Sequence, residues 1–208
     1  MGIESEIKLA LPAGQVDAAT AFFVARTGDA GRDVALDNIY LDTPELTLAR
    51  SKSALRLRHT PDGWLQTFKT AGSAKGGLHS RHEWEMPVAG NALEIDALLR
   101  ACEVPEIAEA LREAATDLIE LFRTNFTRTI WHVHHEGADI EAAIDQGEVI
   151  AEVNGETRRA PVSEIELELK SGEEAALHTL AQALSANIPG LAPDDVSKAQ
   201  RGYTLREQ

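Results

Sequence analysis

Glu4-Ser5-Glu6-Ile7-Lys8, near the start of a chain of 208 residues, is the stretch on which the reading of the fold turns. Side chains on a strand alternate between two faces. In Ile3-Glu4-Ser5-Glu6-Ile7-Lys8-Leu9 that alternation puts Glu4, Glu6 and Lys8 on one face and Ile3, Ile7 and Leu9 on the other. Taken alone, such a row is the solvated face of an ordinary sheet. A second row changes its weight: Glu164-Ile165-Glu166-Leu167-Glu168-Leu169-Lys170, near the other end of the chain, repeats the pattern with one more acid.

Between the two rows, further strand-like segments carry charge on one face and aliphatics on the other. Ala54 to His59 sets Arg56 and Arg58 opposite Leu55 and Leu57, and the turn Thr60-Pro61-Asp62-Gly63 pairs it with Trp64 to Thr70, which brings Lys69 beside the two arginines. His79 to Val88 presents Arg81, Glu83 and Glu85 on one face. Asn38 to Thr43 reads as a strand, with Pro44 opening a short helix to Arg50. Leu121 to His135, Asp139 to Asp145, Glu148 to Asn154 and Ser163 to Lys170 read as strands separated by turns at Glu136-Gly137, Gln146-Gly147 and Gly155. Arg123 and Arg128 have opposite parity on the first of these, and Arg128 is taken as the inward one.

Apolar spacing predicts helices over Gln15 to Arg26, Asn91 to Cys102, Glu106 to Thr116 and Glu173 to Ala186, with a short basic one over Asp194 to Tyr203. Gly28 to Arg32 reads as a loop, and the Gly/Ser/Lys-rich Ala71 to Gly77 as a mobile linker.

The composition, 43% hydrophobic, supports a packed core, and residues 1–208 are expected to form a single domain. The net charge of −14 argues against a general nucleic-acid binder. There is no apolar run of about 18 residues and no basic-then-apolar leader, so no membrane partner is expected and the cytoplasm is the expected compartment. Cys102, the single cysteine, excludes an intramolecular disulfide and a cysteine zinc cage. His132, His134 and His135 lack a matching cysteine and are expected at a rim. Trp64, Trp84 and Trp131 are read as outer packing residues.

The strands fit one arrangement best. Helices need an apolar surface to cover, and ordered rows of Arg, Lys and Glu suit a polar lumen better than scattered surface. An α+β fold follows, a closed antiparallel barrel of about eight strands with a charged interior and helices packed outside. Inward candidates are Lys8, Arg56, Arg58, Lys69, Arg81 and Arg128, and Glu4, Glu6, Glu83, Glu85, Asp145, Glu166 and Glu168. Clustered carboxylates raise one another's pKa unless a cation sits among them, which predicts a hard divalent ion, Mg²⁺ or Mn²⁺. Arginine forks opposite that ion match phosphate oxygens.

These residues resemble the CYTH, or triphosphate tunnel metalloenzyme, superfamily. The resemblance rests on Glu4-Ser5-Glu6-Ile7-Lys8, Tyr40-Leu41-Asp42-Thr43, Leu55-Arg56-Leu57-Arg58, the Lys69 strand, Arg81-His82-Glu83-Trp84-Glu85, Arg128, Asp145, Glu166-Leu167-Glu168-Leu169-Lys170 and Ser197-Lys198-Ala199-Gln200-Arg201-Gly202-Tyr203. Within it the chain looks most like bacterial inorganic triphosphatases. Many of those carry a helical CHAD domain after this module, so the chain is either a single-domain member or an excised module.

The resemblance implies metal-dependent hydrolysis of inorganic triphosphate to pyrophosphate and phosphate. Lys8, Arg56, Arg58, Lys69, Arg81, Arg128, Lys198 and Arg201 would hold the substrate. Glu4, Glu6, Glu85, Asp145, Glu166 and Glu168 would hold metal, and Glu168, Lys8 and Arg56 would do the chemistry. The alternatives are a class IV-type adenylate cyclase, a thiamine triphosphatase and a non-catalytic polyphosphate-binding module. The partner expected in each case is a triphosphate-containing small molecule; the oligomeric state is open, a homodimer included.

Overall fold

The computed structural model describes residues 2–207; the outward placement expected for the Ile3 side chain lies outside what is described. Eight strands close into an antiparallel ring: β1 (Gly2–Ala10), β9 (Glu156–Ser171), β8 (Ala138–Val153), β7 (Ile119–His135), β2 (Arg32–Asp42), β3 (Ser53–Thr60), β4 (Gly63–Thr70) and β6 (Leu78–Val88), which pairs back with β1. Two short strands extend it, β5 (Ser73–Lys75) on β6 and β10 (Ala192–Pro193) on β1. The hairpins β7–β8 and β8–β9 turn through Glu136-Gly137 and Asn154-Gly155, each pair at positive φ, the twist that lets two-residue loops join right-twisted strands.

Register decides what faces inward, because residues directly opposite across a ladder share a face. Glu6 lies opposite Glu168, and Lys8 opposite Glu166. Glu4 lies opposite Arg81, Arg56 opposite Thr67, and Arg128 opposite Asp145. The aliphatic partners of these rows turn outward under helices. Ile7, Leu9, Ile165 and Leu167 pack with Phe23 of α1 (Val16–Thr27) and with Leu177, Leu180 and Leu184 of α5 (Ala175–Asn187). Leu55, Phe68 and Trp84 pack under α2 (Thr47–Arg50), α3 (Ile95–Ala101) and α4 (Pro105–Ala114). Trp131 stacks on Phe23 at 5.0 Å, so it and Trp84 are outer packing residues as read. Burying these aliphatic faces gives each about 25 cal/mol per Å² removed from water, and it is this gain that leaves the charged faces to the lumen.

Where no helix covers the sheet, the ordinary polarity returns. On β2 the inward Val34 and Leu36 are buried against Phe126, while Asp33, Ala35 and Asp37 face solvent. The sixth helix, α6 (Lys198–Glu207), also departs from the outside position, lying against the inward Tyr40, Phe122, Val149 and Val162 and closing one end of the barrel. Gly202 makes this approach feasible, since a Cβ there would sit 2.0 Å from the Phe122 ring.

Several sequence expectations are corrected. β8 runs unbroken through Gln146-Gly147, where a turn was expected: Gly147 has ordinary φ, and its missing Cβ, which would lie 2.2 Å from the Asn125 carbonyl oxygen, lets β7 and β8 press together. β2 begins at Arg32, earlier than its polar first half suggested. Asn91–Glu94 is not helical because the Gln66 amide clasps the Glu94 backbone from both sides, at 2.8 and 3.1 Å. The expected linker Ala71–Gly77 contains β5, and the Asp195 carboxylate accepts from the N–H groups of Gly76 and Gly77. Asp194 and Asp195 are therefore a strap, and the final helix starts only at Lys198. No helix among the described residues is long and apolar enough to cross a membrane.

Candidate active site

The lumen holds a cavity of about 1040 Å³. Of the residues expected to hold substrate or metal or to do the chemistry, all but Asp145 and Arg201 line it. Its walls fall into three stretches with different charge balance.

The first lies beside α6. Lys198 Nζ donates to Asp145 at 2.6 Å and to Glu166 at 2.8 Å, and also to Glu164. Arg128 forks onto Asp145 at 2.8 and 2.7 Å and reaches Glu166 as well. Arg201 sits behind, 3.0 Å from Glu164 and paired with Asp194. Burial works against the Lys198 charge, yet Asp145, Glu164 and Glu166 raise its pKa above the usual lysine range. Burial likewise opposes ionisation of Glu166, but Lys198 and Arg128 outweigh it and hold that carboxyl well down. Asp145, Glu164 and Glu166 form the tightest carboxylate cluster among the described residues, their oxygens within 4.8 Å of one another, but Lys198 Nζ already bonds to all three. Asp145 is fully buried behind the wall.

The second stretch is acidic. Glu6, Glu168 and Glu141 lie in register across β1, β9 and β8. Arg81 answers Glu4 at 2.9 Å and Glu6 at 2.6 Å, and Lys170 answers Glu168 at 2.6 Å. The compensation is incomplete. Burial pushes the Glu4 carboxyl up to about 8, with Arg81 offsetting and Glu6 and Glu83 adding. Burial also raises Glu168, against Lys170 and with help from Glu141 and Glu6. These are oxygen donors, crowded, and short of positive charge, which is the chemistry of a hard divalent cation site. Glu4, Glu6 and Glu168 supply carboxylate donors of the kind such a cation takes. Glu85 does not sit with them: it accepts from Arg56 at 3.0 Å and from Thr67 at 2.7 Å.

The third stretch is basic. Lys69 pairs with Glu83 at 3.2 Å and Arg56 with Glu85, but Arg58 and Lys8 meet neutral oxygens. Arg58 Nε donates to Asn38 Oδ1 at 2.7 Å, and Lys8 Nζ to the Val196 carbonyl. Burial, with Arg56 and Arg128 nearby, pushes Arg58 down to about 10. Burial lowers Lys8 too, although Glu164 and Glu166 oppose the shift. Lys52, exposed just before β3, also lines the cavity.

Arg123 is outside, bonded to Glu120, which agrees with the parity argument. His132 and His134 are exposed and His135 half-buried, on the β7 end of the barrel rim. Sequence reasoning missed Glu164, Glu141 and Asn38. The first two share the parity of Glu166 and Asp145, so the signal was present. Asn38 carried no signal, being one polar residue in a strand read by its apolar neighbours.

Over 174 residues the chain is 36% identical to the inorganic triphosphatase of Haemophilus influenzae, covering 84% of this chain and 47% of that protein. The chain thus spans about half the length of that curated relative. A Hippeastrum protein described as an adenylyl cyclase with a dominant triphosphatase activity superposes with a TM-score of 0.65 at 18% identity, covering 97% of this chain and 95% of the other. A Pyrococcus horikoshii protein superposes with a TM-score of 0.54 at 15% identity, covering 98% and 99%. At those identities the likeness concerns the fold. The CYTH domain pattern matches residues 2–203, so the chain belongs to the CYTH domain family.

Proposed function

We propose that the protein is a metal-dependent hydrolase that cleaves inorganic triphosphate to pyrophosphate and phosphate inside the barrel. The observation that carries this reading is the separation of charge in the cavity, an under-compensated acidic row facing Arg58 and Lys8, whose side chains hydrogen-bond to neutral oxygens and not to a carboxylate. A divalent cation held by the acidic row and a phosphate chain held by the basic groups would satisfy both walls at once. The named activity of the Haemophilus relative supports it.

In this reading Glu4, Glu6 and Glu168 hold Mg²⁺ or Mn²⁺, whose contribution is to neutralise charge on the substrate oxygens. Lys8, Arg56, Arg58, Lys69, Arg81, Arg128 and Lys198 hold the triphosphate and orient its terminal phosphorus. Phosphoryl transfer needs mainly positioning and charge stabilisation. Glu168 orients the attacking water and accepts its proton. As the water oxygen bonds to phosphorus, the bridging P–O bond breaks, and Arg56 and Lys8 neutralise the charge that gathers on pyrophosphate. Asp145 and Glu85, held by cations, serve by fixing Arg128, Lys198 and Arg56; Arg201 acts one step back, through Glu164. We place the reaction in the cytoplasm, the compartment the sequence favours.

One assay tests the proposal: incubation with tripolyphosphate, ATP and thiamine triphosphate under Mg²⁺ and Mn²⁺, measuring phosphate and cyclic AMP. Phosphate released preferentially from tripolyphosphate is expected. Cyclic AMP from ATP would make the protein a cyclase, phosphate chiefly from thiamine triphosphate a thiamine triphosphatase, and binding with no product a polyphosphate-binding module.

A further inference from the structure

Arg58 is held unlike the other arginines of the cavity. Arg56, Arg81 and Arg128 each meet a carboxylate, whereas Arg58 meets the side-chain amide of Asn38. Asn38 is 1% exposed and lies directly opposite Arg58 across the β2–β3 ladder and opposite Thr124 across β2–β7. Its Nδ2 donates to the Thr124 carbonyl at 2.7 Å and faces that of Leu36 at 3.4 Å, while Oδ1 accepts from Arg58 Nε.

That surrounding fixes the orientation of the amide. With Oδ1 turned toward Thr124 two acceptors would meet, and with Nδ2 turned toward Arg58 two donors would meet, so the side chain has one satisfied state. Among ordinary side chains of this size, an amide alone supplies a donor to one side and a neutral acceptor to the other. A carboxylate in its place would orient the guanidinium and also cancel its charge, and would set an oxygen against the Thr124 carbonyl. The depressed pKa of Arg58 is what a desolvated guanidinium near Arg56 and Arg128 shows when Glu85 offsets them only in part, a state that a bound anion relieves.

We propose that Asn38 is a positioning residue for the anionic substrate, holding the Arg58 guanidinium toward the cavity while leaving its positive charge free for a phosphate group. The inference rests on reading the cavity as a triphosphate site.

The test is a double-mutant cycle on the full chain: wild type, Asn38→Ala, Arg58→Ala and the double variant, with kcat and KM for tripolyphosphate and the melting temperature of each. Asn38→Ala is expected to raise KM by ~10-fold in the wild-type background and by less than ~2-fold in the Arg58→Ala background, since the contact it removes no longer has Arg58 to act on. An equal factor in both backgrounds would mean that Asn38 only supports the fold, and would overturn the proposal. If Asn38→Ala does not fold, Asn38→Asp replaces it, and a KM within ~2-fold of wild type would overturn the charge argument. If the wild type binds tripolyphosphate without hydrolysing it, the reading of function fails while the same cycle, run on the calorimetric Kd, still decides the role of Asn38. If the wild type does not bind tripolyphosphate, both fall.

Discussion

Two groups of buried charge in this barrel use the same residue types and come out opposite. Around Lys198, three cations and three carboxylates interlock: Lys198, Arg128 and Arg201 with Asp145, Glu164 and Glu166. Around Arg58 and Lys8 the positive groups are held by an amide and a carbonyl oxygen, and the nearby acidic row is left short of cations. The first group is matched largely within the chain. The second is satisfied only by something from outside, a divalent ion and an anion together. A buried cation paired within its own chain supports the fold as well as the site, whereas one held by neutral partners gains most from a ligand.

The sharpest way to break this comparison is to withhold the outside cation. Stripping divalent metal with a chelator is expected to reduce phosphate release from tripolyphosphate at least ~10³-fold, with recovery on adding Mg²⁺ or Mn²⁺. Activity that survives chelation would mean that the acidic row has no cation to hold. Next in size, Glu168→Gln removes the group that takes the proton from water while preserving its shape. A fall in kcat of ~10²–10⁴-fold with KM little changed is expected, and near-normal turnover would refute that role for Glu168.

Lys198→Met tests the matched group. It leaves Asp145, Glu164 and Glu166 facing one another with only the two arginines, and removal of one partner from a buried network costs about 3–5 kcal/mol. Urea unfolding should show that loss as a lower midpoint. Unchanged stability would mean that the interlocked charges do not support the fold.

Much of this arrangement was legible in the chain. The parity of Glu4, Glu6 and Lys8 against Glu166, Glu168 and Lys170 placed both rows inside, because period two admits no other assignment once Ile7, Leu9, Ile165 and Leu167 need helices to cover them. Parity also separated Arg128 from Arg123. What parity cannot say is which inward charge already has a partner. Asp145 shares the face of Glu141, but it lies behind the wall because Lys198, 53 residues later, arrives on a helix that enters the barrel. Gly147 read as a turn because a glycine's need for a close neighbouring backbone is invisible until β7 is placed beside it. Asn38 was missed for the same reason: its value lies in two contacts, 86 and 20 residues away, that only the closed sheet brings together.

The smallest effect falls on the other side of the comparison. Arg58→Gln deletes a cation whose direct partner is an amide and not a carboxylate. Folding loses one hydrogen bond to Asn38, worth ~1 kcal/mol net, and is relieved of a guanidinium buried near Arg56 and Arg128. The two terms oppose, so the urea midpoint should stay near that of wild type. KM for tripolyphosphate should nevertheless rise ~10-fold, the size expected when one charge-assisted contact to phosphate is removed. Arg58→Gln and Lys198→Met therefore form a pair: loss of the interlocked cation lowers stability as well as substrate affinity, whereas loss of the one held by an amide is read mainly in KM. If Arg58→Gln unfolds as readily as Lys198→Met, Arg58 has a partner of its own and the division between the two groups fails at that residue.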